Sequence, residues 1–168
     1  QVELIHASSL RVLEETGVAL HERSALKLLE DAGARVDNRT NIVSIPEHVV
    51  SQALARAPKS IRLYSRDGKN HLTLQDDNVH YSPGSTTPFI LDRTGTVRKP
   101  VSVDLVNLVR LADALRSIEI QSTALVVSDV AESVADLYRL FLVVKNSPKP
   151  IMTGAFSLEG LQDMKRIL

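Results

Sequence analysis

Two short apolar segments constrain this chain most. "SIEIQSTALVVS" (117–128) contains a strand-like run, a helical pattern follows at about 130–145, and "KPIMTGAF" (149–156) holds a second run. The runs begin at Ile118 and Ile151, about 33 residues apart. A hairpin needs only a few residues, whereas a parallel return needs a crossover, usually a helix. The spacing therefore predicts parallel strands with a helix between them. In that helix Val134, Leu137, Phe141 and Val144 recur at helical spacing and are expected inward. Ser157 is placed to cap a further helix over 158–168. Parallel sheets are normally covered on both faces, and two or three strands close neither a barrel nor a doubly wound sheet. The pattern is still running at Leu168. The expectation is the N-terminal portion of a larger α/β domain, or else a short open sheet completed by another chain.

The preceding residues have a different character. A helix is expected over 2–16, with Val2, Ile5, Ser9, Val12 and Thr16 on one face and Leu13 beside them. Gly17 is expected as its left-handed C-cap. A second helix over 22–32 carries Ala25, Leu28, Leu29 and Ala32, and ends at Gly33. A hairpin is expected at 35–45. Pro46 suits the first turn of a third helix, 46–56, where its missing N–H is harmless. Val49, Val50, Ala53, Leu54 and Ala57 form the apolar face of that helix. Next, "IRLYSRDGKNHLTL" (61–74) alternates on either side of Asp67-Gly68, a strong hairpin signal. Strands at 79–81 and 88–91 bracket "SPGSTTP", so residues 60–98 are expected to be antiparallel. Ser102 is the expected N-cap of a helix carrying Leu105, Leu108, Val109, Ala112 and Leu115. The organisation expected is a helical segment over 1–58, antiparallel hairpins over 59–100, and β/α units over 101–168.

The 168 residues are enough for a domain with a real core, and 43% are apolar. Twenty basic and twenty acidic side chains cancel, which argues against a dedicated nucleic-acid binder. The chain has no Cys, hence neither a disulfide framework nor a thiolate metal site. No apolar run approaches the ~20 residues of a membrane span, and no signal peptide is visible. The expected compartment is the cytoplasm. The chain begins with Gln1 rather than Met, consistent with N-terminal trimming.

Recognisable catalytic motifs are scarce. His6, His21, His48, His71 and His80 form no HxH, HxxxH or HExxH pattern, and solvated or capping roles are the ordinary expectation. No phosphate-binding glycine motif and no nucleophile elbow occurs. Asp76-Asp77 on a strand would point to opposite faces, so a turn is expected there. Three places remain as candidates: Ser82 to Thr87, "VVSDV" (126–130) and "MTGAFS" (152–157). The last two follow parallel strands, and ligand sites lie at the carboxyl ends of such strands. Gly154 would allow a close approach, or simply make a tight turn. Ser128-Asp129 would alternatively cap the helix that follows.

Longer stretches carry a family likeness. "HASSLRVLEETGVALHERSALKLLEDAGARVD" (6–37), "IPEHVVSQALARAPKSIRLYSRD" (45–67), "VHYSPGSTTPFILDRTG" (79–95) and "KPIMTGAF" (149–156) closely resemble the start of the trimethylamine methyltransferase-like (MttB) superfamily. The resemblance implies a (β/α)8 TIM-type barrel preceded by helices and antiparallel hairpins. It implies transfer of a methyl group from a tertiary or quaternary amine to the cobalt of a separate corrinoid protein. The corrinoid is carried by that cognate partner, and no cofactor or metal is expected on this segment. Trimethylamine-specific members carry pyrrolysine far beyond residue 168, while others lack it and some use quaternary amines such as glycine betaine. The usually glycine-rich loop is here Ser-Pro-Gly-Ser-Thr at 82–86.

With that chemistry the barrel must orient and desolvate a cation rather than supply an acid or a nucleophile. Ser85, Thr86 and Thr87 are the expected polar contacts, with Gly154 at the mouth. Aromatic faces hold cations, and Tyr81, Phe89 and Phe156 lie near the candidate loops, with Phe156 the preferred one. This segment alone is expected to be inactive, and homo-oligomerisation is left open. The rival expectations are another (β/α)8 enzyme sharing only the scaffold, and a non-enzymatic docking module.

Overall fold

A computed structural model describes residues 1–167. The chain mixes helix and strand and divides into two compact units, Gln1–Pro58 and the part from Lys59 onward. Among the described residues no helix is long and apolar enough to cross a membrane.

In the first unit, α1 (Val2–Arg11) runs directly into a π-helical turn, Val12–Thr16. The expected helical span is present, with a widened last turn. Gly17 ends it at φ +75° and ψ −174°, a mirror-extended conformation rather than the left-handed cap expected. A Cβ at this position would lie 2.7 Å from the Val43 carbonyl oxygen. Glycine is required twice over, for its φ and for the close backbone approach. Gly17→Ala should therefore destabilise this unit by about 1–3 kcal/mol, read as a lower denaturation midpoint. An unchanged midpoint would mean that the turn relaxes freely.

The unit continues with β1 (Val18–Ala19), α2 (Arg23–Asp31), β2 (Arg35–Asp37), β3 (Ile42–Ser44) and α3 (Glu47–Arg56). The β2–β3 hairpin forms where expected. The two-residue β1 also pairs antiparallel with β3, making it the central strand, with Val43 opposite both Val18 and Val36. Two residues carry no period, so β1 left no trace in the pattern. Leu26, Ala34 and Val43 form the core, flanked by Leu20, Leu29, Val36 and Ile45.

Several expected faces differ. Leu26, not Leu28, is the buried residue of α2, and Leu28 is exposed. In α1 the buried residue is Leu10, while Val2, Ile5 and Val12 are exposed. In α3 Val49 is buried and Leu54 exposed. Pro46 is the N-cap of α3 rather than its first helical residue. Periodicity identifies a stripe, but tertiary packing decides how much of it is covered.

In the second unit, β4 (Ser60–Tyr64) and β5 (His71–Gln75) pair antiparallel, Ser60 with Gln75 and Tyr64 with His71. A shorter antiparallel pair, β6 (Ile90–Leu91) and β7 (Val97–Arg98), follows. Its turn is organised by Asp92 Oδ1, which accepts from the backbone N–H groups of Thr94 and Thr96. Next come α4 (Ser102–Ala114), β8 (Gln121–Ser122), α5 (Glu132–Asn146), β9 (Ile151–Met152) and α6 (Leu158–Arg166). β8 and β9 are parallel, with Gln121 opposite Ile151 and Ser122 opposite Met152. The crossover between them is α5, as their spacing requires.

The segment 79–91 departs from expectation. Residues 79–81 and 88–91 do not pair with each other. Tyr81 instead bridges Ile118, and Thr87 bridges Leu125, both in parallel. The backbone N–H groups of Glu119 and Ile120 donate to Tyr81 O, Thr87 N–H donates to Ala124 O, and Val126 N–H donates to Thr87 O. Residues 81–87 thus run beside the 118–125 strand, on the opposite side from β9. Pro88 would remove a donor from a ladder between 79–81 and 88–91, whereas the open edge of the central strand is met by Tyr81 O, Thr87 N–H and Thr87 O, none of which a proline supplies. Antiparallel pairing in 60–98 is confined to β4–β5 and β6–β7.

The core of this unit joins Leu105 and Val109 of α4, Ala124, Leu125 and Val127, and Leu142 and Val143 of α5. The inward face of α5 is rotated from the expected one. Val134 and Phe141 are exposed, whereas Ala135, Asp136, Arg139, Leu140, Leu142 and Val143 are buried. An ion pair occupies part of the face that a hydrophobic pattern would turn outward. The N-cap of α4 is Val101 rather than Ser102. The Asp104 carboxylate accepts from Val101 N–H at 2.8 Å and is gripped by both terminal nitrogens of Arg98. Ser102, one position further in, donates its N–H and hydroxyl to Asp129. Asp129 thus caps α4, not the helix that follows it, whose N-cap is Ala131. Ser157 caps α6, accepting from Gly160 N–H at 3.0 Å.

Candidate functional site

The carboxyl ends of the parallel strands surround a cleft of about 290 Å³. Ser82, Gly84 and Ser85 line one side, and Ser122, Met152, Thr153 and Gly154 the other. β8 and β9 contribute at their carboxyl ends, and residues 82–85 contribute from between the Tyr81 and Thr87 bridges. The Ser122 hydroxyl donates to the Gly84 carbonyl and ties the first wall to the central strand. Thr123 and Thr153 hydroxyls lie 3.0 Å apart and tie the central strand to the second wall. None of the lining side chains titrates near neutral pH.

Thr86 has φ +61°, a left-handed conformation that a β-branched residue rarely adopts. Such strain costs about 1–3 kcal/mol and persists where surrounding bonds over-determine it. Here the next residue, Thr87, is held by backbone hydrogen bonds on both sides, at 2.8 Å to Ala124 and 3.0 Å from Val126. Thr86 Oγ1 lies 2.9 Å from Ser85 Oγ.

Of the residues singled out in the sequence, Ser85 and Gly154 meet in the cleft. Thr86 sits behind Ser85 and shares a hydrogen bond with it. Thr87 commits its backbone to the parallel ladder. Gly154 has no atom within 4 Å of where a Cβ would stand and no positive φ, so a side chain there would project into open space. Phe156 lies outside the cleft lining, as do Tyr81 and Phe89. The 126–130 segment is likewise absent from it: Val127 is core, Ser128 bonds the Pro100 carbonyl, and Asp129 caps α4.

Sequence reasoning missed Ser122, Thr123 and the pair behind Phe156. The signal for the first two was present: "QST" (121–123) is a polar run inside an apolar strand, and all three residues are buried. Behind Phe156, Arg139 is 1% exposed and Asp136 8%. Asp136 Oδ1 lies 3.4 Å from Arg139 Nη1. Arg139 Nη2 donates to the Thr123 carbonyl, and Asp136 Oδ2 accepts from Phe156 N–H at 2.5 Å. The Phe156 ring covers the guanidinium, with 5.3 Å from Cζ to the ring centroid. Burial pushes the Arg139 guanidinium below the usual arginine value, and Asp136 opposes that shift.

At the other end of the central strand, His80 Nδ1 lies 2.7 Å from Glu119 Oε2 and Nε2 lies 3.0 Å from Thr73 O. Both ring nitrogens face acceptors, so only the imidazolium satisfies both. The Glu119 hydrogen bond, then the Thr73 carbonyl, raise the His80 pKa above its usual value near 6.5. A raised folded-state pKa gives stability that is full below the unfolded value and lost as pH rises through the folded one. The margin in melting temperature of the wild type over His80→Gln should therefore shrink as the pH climbs from 6 toward 9. A margin that is flat across this range would show that His80 is held neutral.

Parallel strands, helical crossovers and a small cleft lined by Ser, Thr, Gly and Met residues define an α/β scaffold of the kind that binds small ligands near the strand ends. The chain belongs to the trimethylamine methyltransferase (MTTB) family, which it matches over residues 1–168. It is 31% identical over 165 residues to trimethylamine methyltransferase MttB of Desulfitobacterium hafniense, covering 98% of this chain and 33% of that protein. A glycine betaine methyltransferase of the same species is 29% identical over 168 residues, covering 99% of this chain and 35% of the relative. An L-carnitine:corrinoid methyltransferase of Eubacterium limosum is 33% identical over 152 residues, covering 89% and 31%. The chain thus spans about a third of the length of these curated relatives.

Proposed function

We propose that this chain is part of a methyltransferase that takes a methyl group from a methylated amine and passes it to a corrinoid protein. On this reading the three parallel segments at 81–87, 118–125 and 151–152 open a (β/α)8 barrel, and the cleft among Ser85, Ser122 and Gly154 is part of its mouth. The observation that carries the reading is the meeting, in a member of this family, of two sequence-distant small-residue loops at the strand carboxyl ends. The lining chemistry suits the reaction. A corrinoid, held by its own protein, would supply a strongly nucleophilic cobalt as methyl acceptor, and the pair of the broken C–N bond would stay on nitrogen. From a quaternary ammonium, or from a tertiary amine that binds already protonated, the leaving amine is neutral, so the cleft needs no acid. Its hydroxyls orient the substrate and exclude water. The names of the relatives support amines such as trimethylamine, glycine betaine and carnitine as the donor class.

The test is to supply the full-length protein with a reduced corrinoid protein and a panel of methylated amines. Methyl–cobalt formation is followed by absorbance. Transfer from at least one amine is the expected result. No transfer from any, with an active corrinoid partner, would remove the reading.

A further inference from the structure

We propose that the buried Asp136–Arg139 pair is a positioning device for the candidate site, tying the 153–157 loop to the end of the central parallel strand and so setting the wall that Thr153 and Gly154 present to a substrate. This rests on the reading of the cleft given above. A pair held only for stability is a poor choice in an apolar core, because apolar residues of similar volume are often at least as stabilising. The mutual contact is long, at 3.4 Å. The stronger bonds go elsewhere, to backbone groups of two segments that shape the cleft. Arg139 holds the carbonyl of Thr123, next to Ser122 of the lining. Asp136 holds the N–H of Phe156, two residues after Gly154. The same carboxylate also abuts the first turn of α6, where a Cβ on Gly160 would come within 3.1 Å of Oδ2. One α5 side-chain pair thus clamps the end of the central strand, the loop after β9 and the start of α6.

Phe156 gains a different role from the one its sequence position suggested. One face of its ring already covers the guanidinium of this chain's own Arg139. A ring that faces one cation attracts a second less strongly, since both draw on the same quadrupole. Phe156 closes the clamp and shields the pair, and substrate cation binding falls to other groups.

The experiment uses the full-length protein with two readouts. Hydrogen–deuterium exchange follows the peptide covering 153–157, and calorimetry measures trimethylamine and glycine betaine binding. Asp136→Ala should speed exchange in that peptide about tenfold or more and weaken binding of whichever amine the wild type takes about tenfold. Asp136→Asn keeps an acceptor for Phe156 N–H but gives up the charge that faces Arg139, and should be impaired clearly less than Asp136→Ala in both readouts. Unchanged exchange in Asp136→Ala, or equal impairment in Asp136→Asn, would overturn the proposal. If Asp136→Ala fails to fold, the uncharged double variant Asp136→Leu with Arg139→Met removes the tether without stranding a buried charge. The same rise in exchange is expected of it, and no rise would overturn the proposal. Exchange decides the clamp independently of any ligand. A wild type that binds neither amine would count against the proposed function instead.

Discussion

On the proposed function, valine in place of Gly154 should cut methyl transfer by the full-length protein about a hundredfold, because a misplacement of ~1 Å at a reacting centre costs about that much. Its melting temperature should stay within a few degrees of wild type. The two halves of this expectation have separate causes. Among the described residues no neighbouring atom lies within 4 Å of the added Cβ, and the backbone has no positive φ to strain. The folded state therefore tolerates the side chain. Gly154 itself lines the cleft, so on the proposed function a branched side chain there intrudes on the room that a small amine would occupy. Steady-state rates and a thermal melt on one preparation check both halves. Full activity would move the site away from this cleft. A collapsed melting temperature would make Gly154 a packing residue.

The second large effect concerns the core that holds the strands in place. Leu105→Ala should lower the unfolding free energy by about 2–5 kcal/mol. Leu105 is fully buried among Val109, Ala124, Leu125 and Val143, where α4 meets the central strand and α5. Its removal leaves a cavity that two helices and a strand must close together. Leu111 of the same helix is 58% exposed, and Leu111→Ala should stay within about 0.5 kcal/mol of wild type. Denaturant titration of both variants compares them directly. Equal losses would show that the inward face of α4 has been misassigned.

The helices and the parallel strands were largely legible, and their interactions much less so. The span of α5 followed from local pattern, yet its buried face did not, because apolar spacing pointed to Val134, Leu137, Phe141 and Val144 and gives no reason for Asp136 and Arg139 to face inward. Their opposite charges at i, i+3 spacing were visible, but an exposed pair would look the same in sequence. Ser128-Asp129 looked like a local cap and instead caps a helix that begins 27 positions earlier, at Ser102. Of the loops that form the cleft, Ser82 to Thr87 was legible because a small, hydroxylated, proline-rich stretch is unusual between apolar runs, and 152–157 because it follows a parallel strand. Ser122 and Thr123 were overlooked because candidate residues were sought in the loops after the strands and not within the strand itself.

The sequence by itself determined what depends on near neighbours: the helices, the Asp67-Gly68 turn, the Ser157 cap, and the parallel sense of two strands separated by a helix. These rest on backbone propensity, on side-chain periodicity and on the length a crossover needs. Tertiary structure alone decided that residues 81–87 join the central strand in parallel, that β1 completes the first sheet, and that an ion pair turns inward on α5. Each of those outcomes is a competition among partners far apart in the chain. A strand edge accepts whichever segment presents free N–H and C=O groups in register, and a carboxylate bonds whichever donors the fold brings within about 3 Å. Local pattern shows that such groups need partners, and only the packed chain selects them.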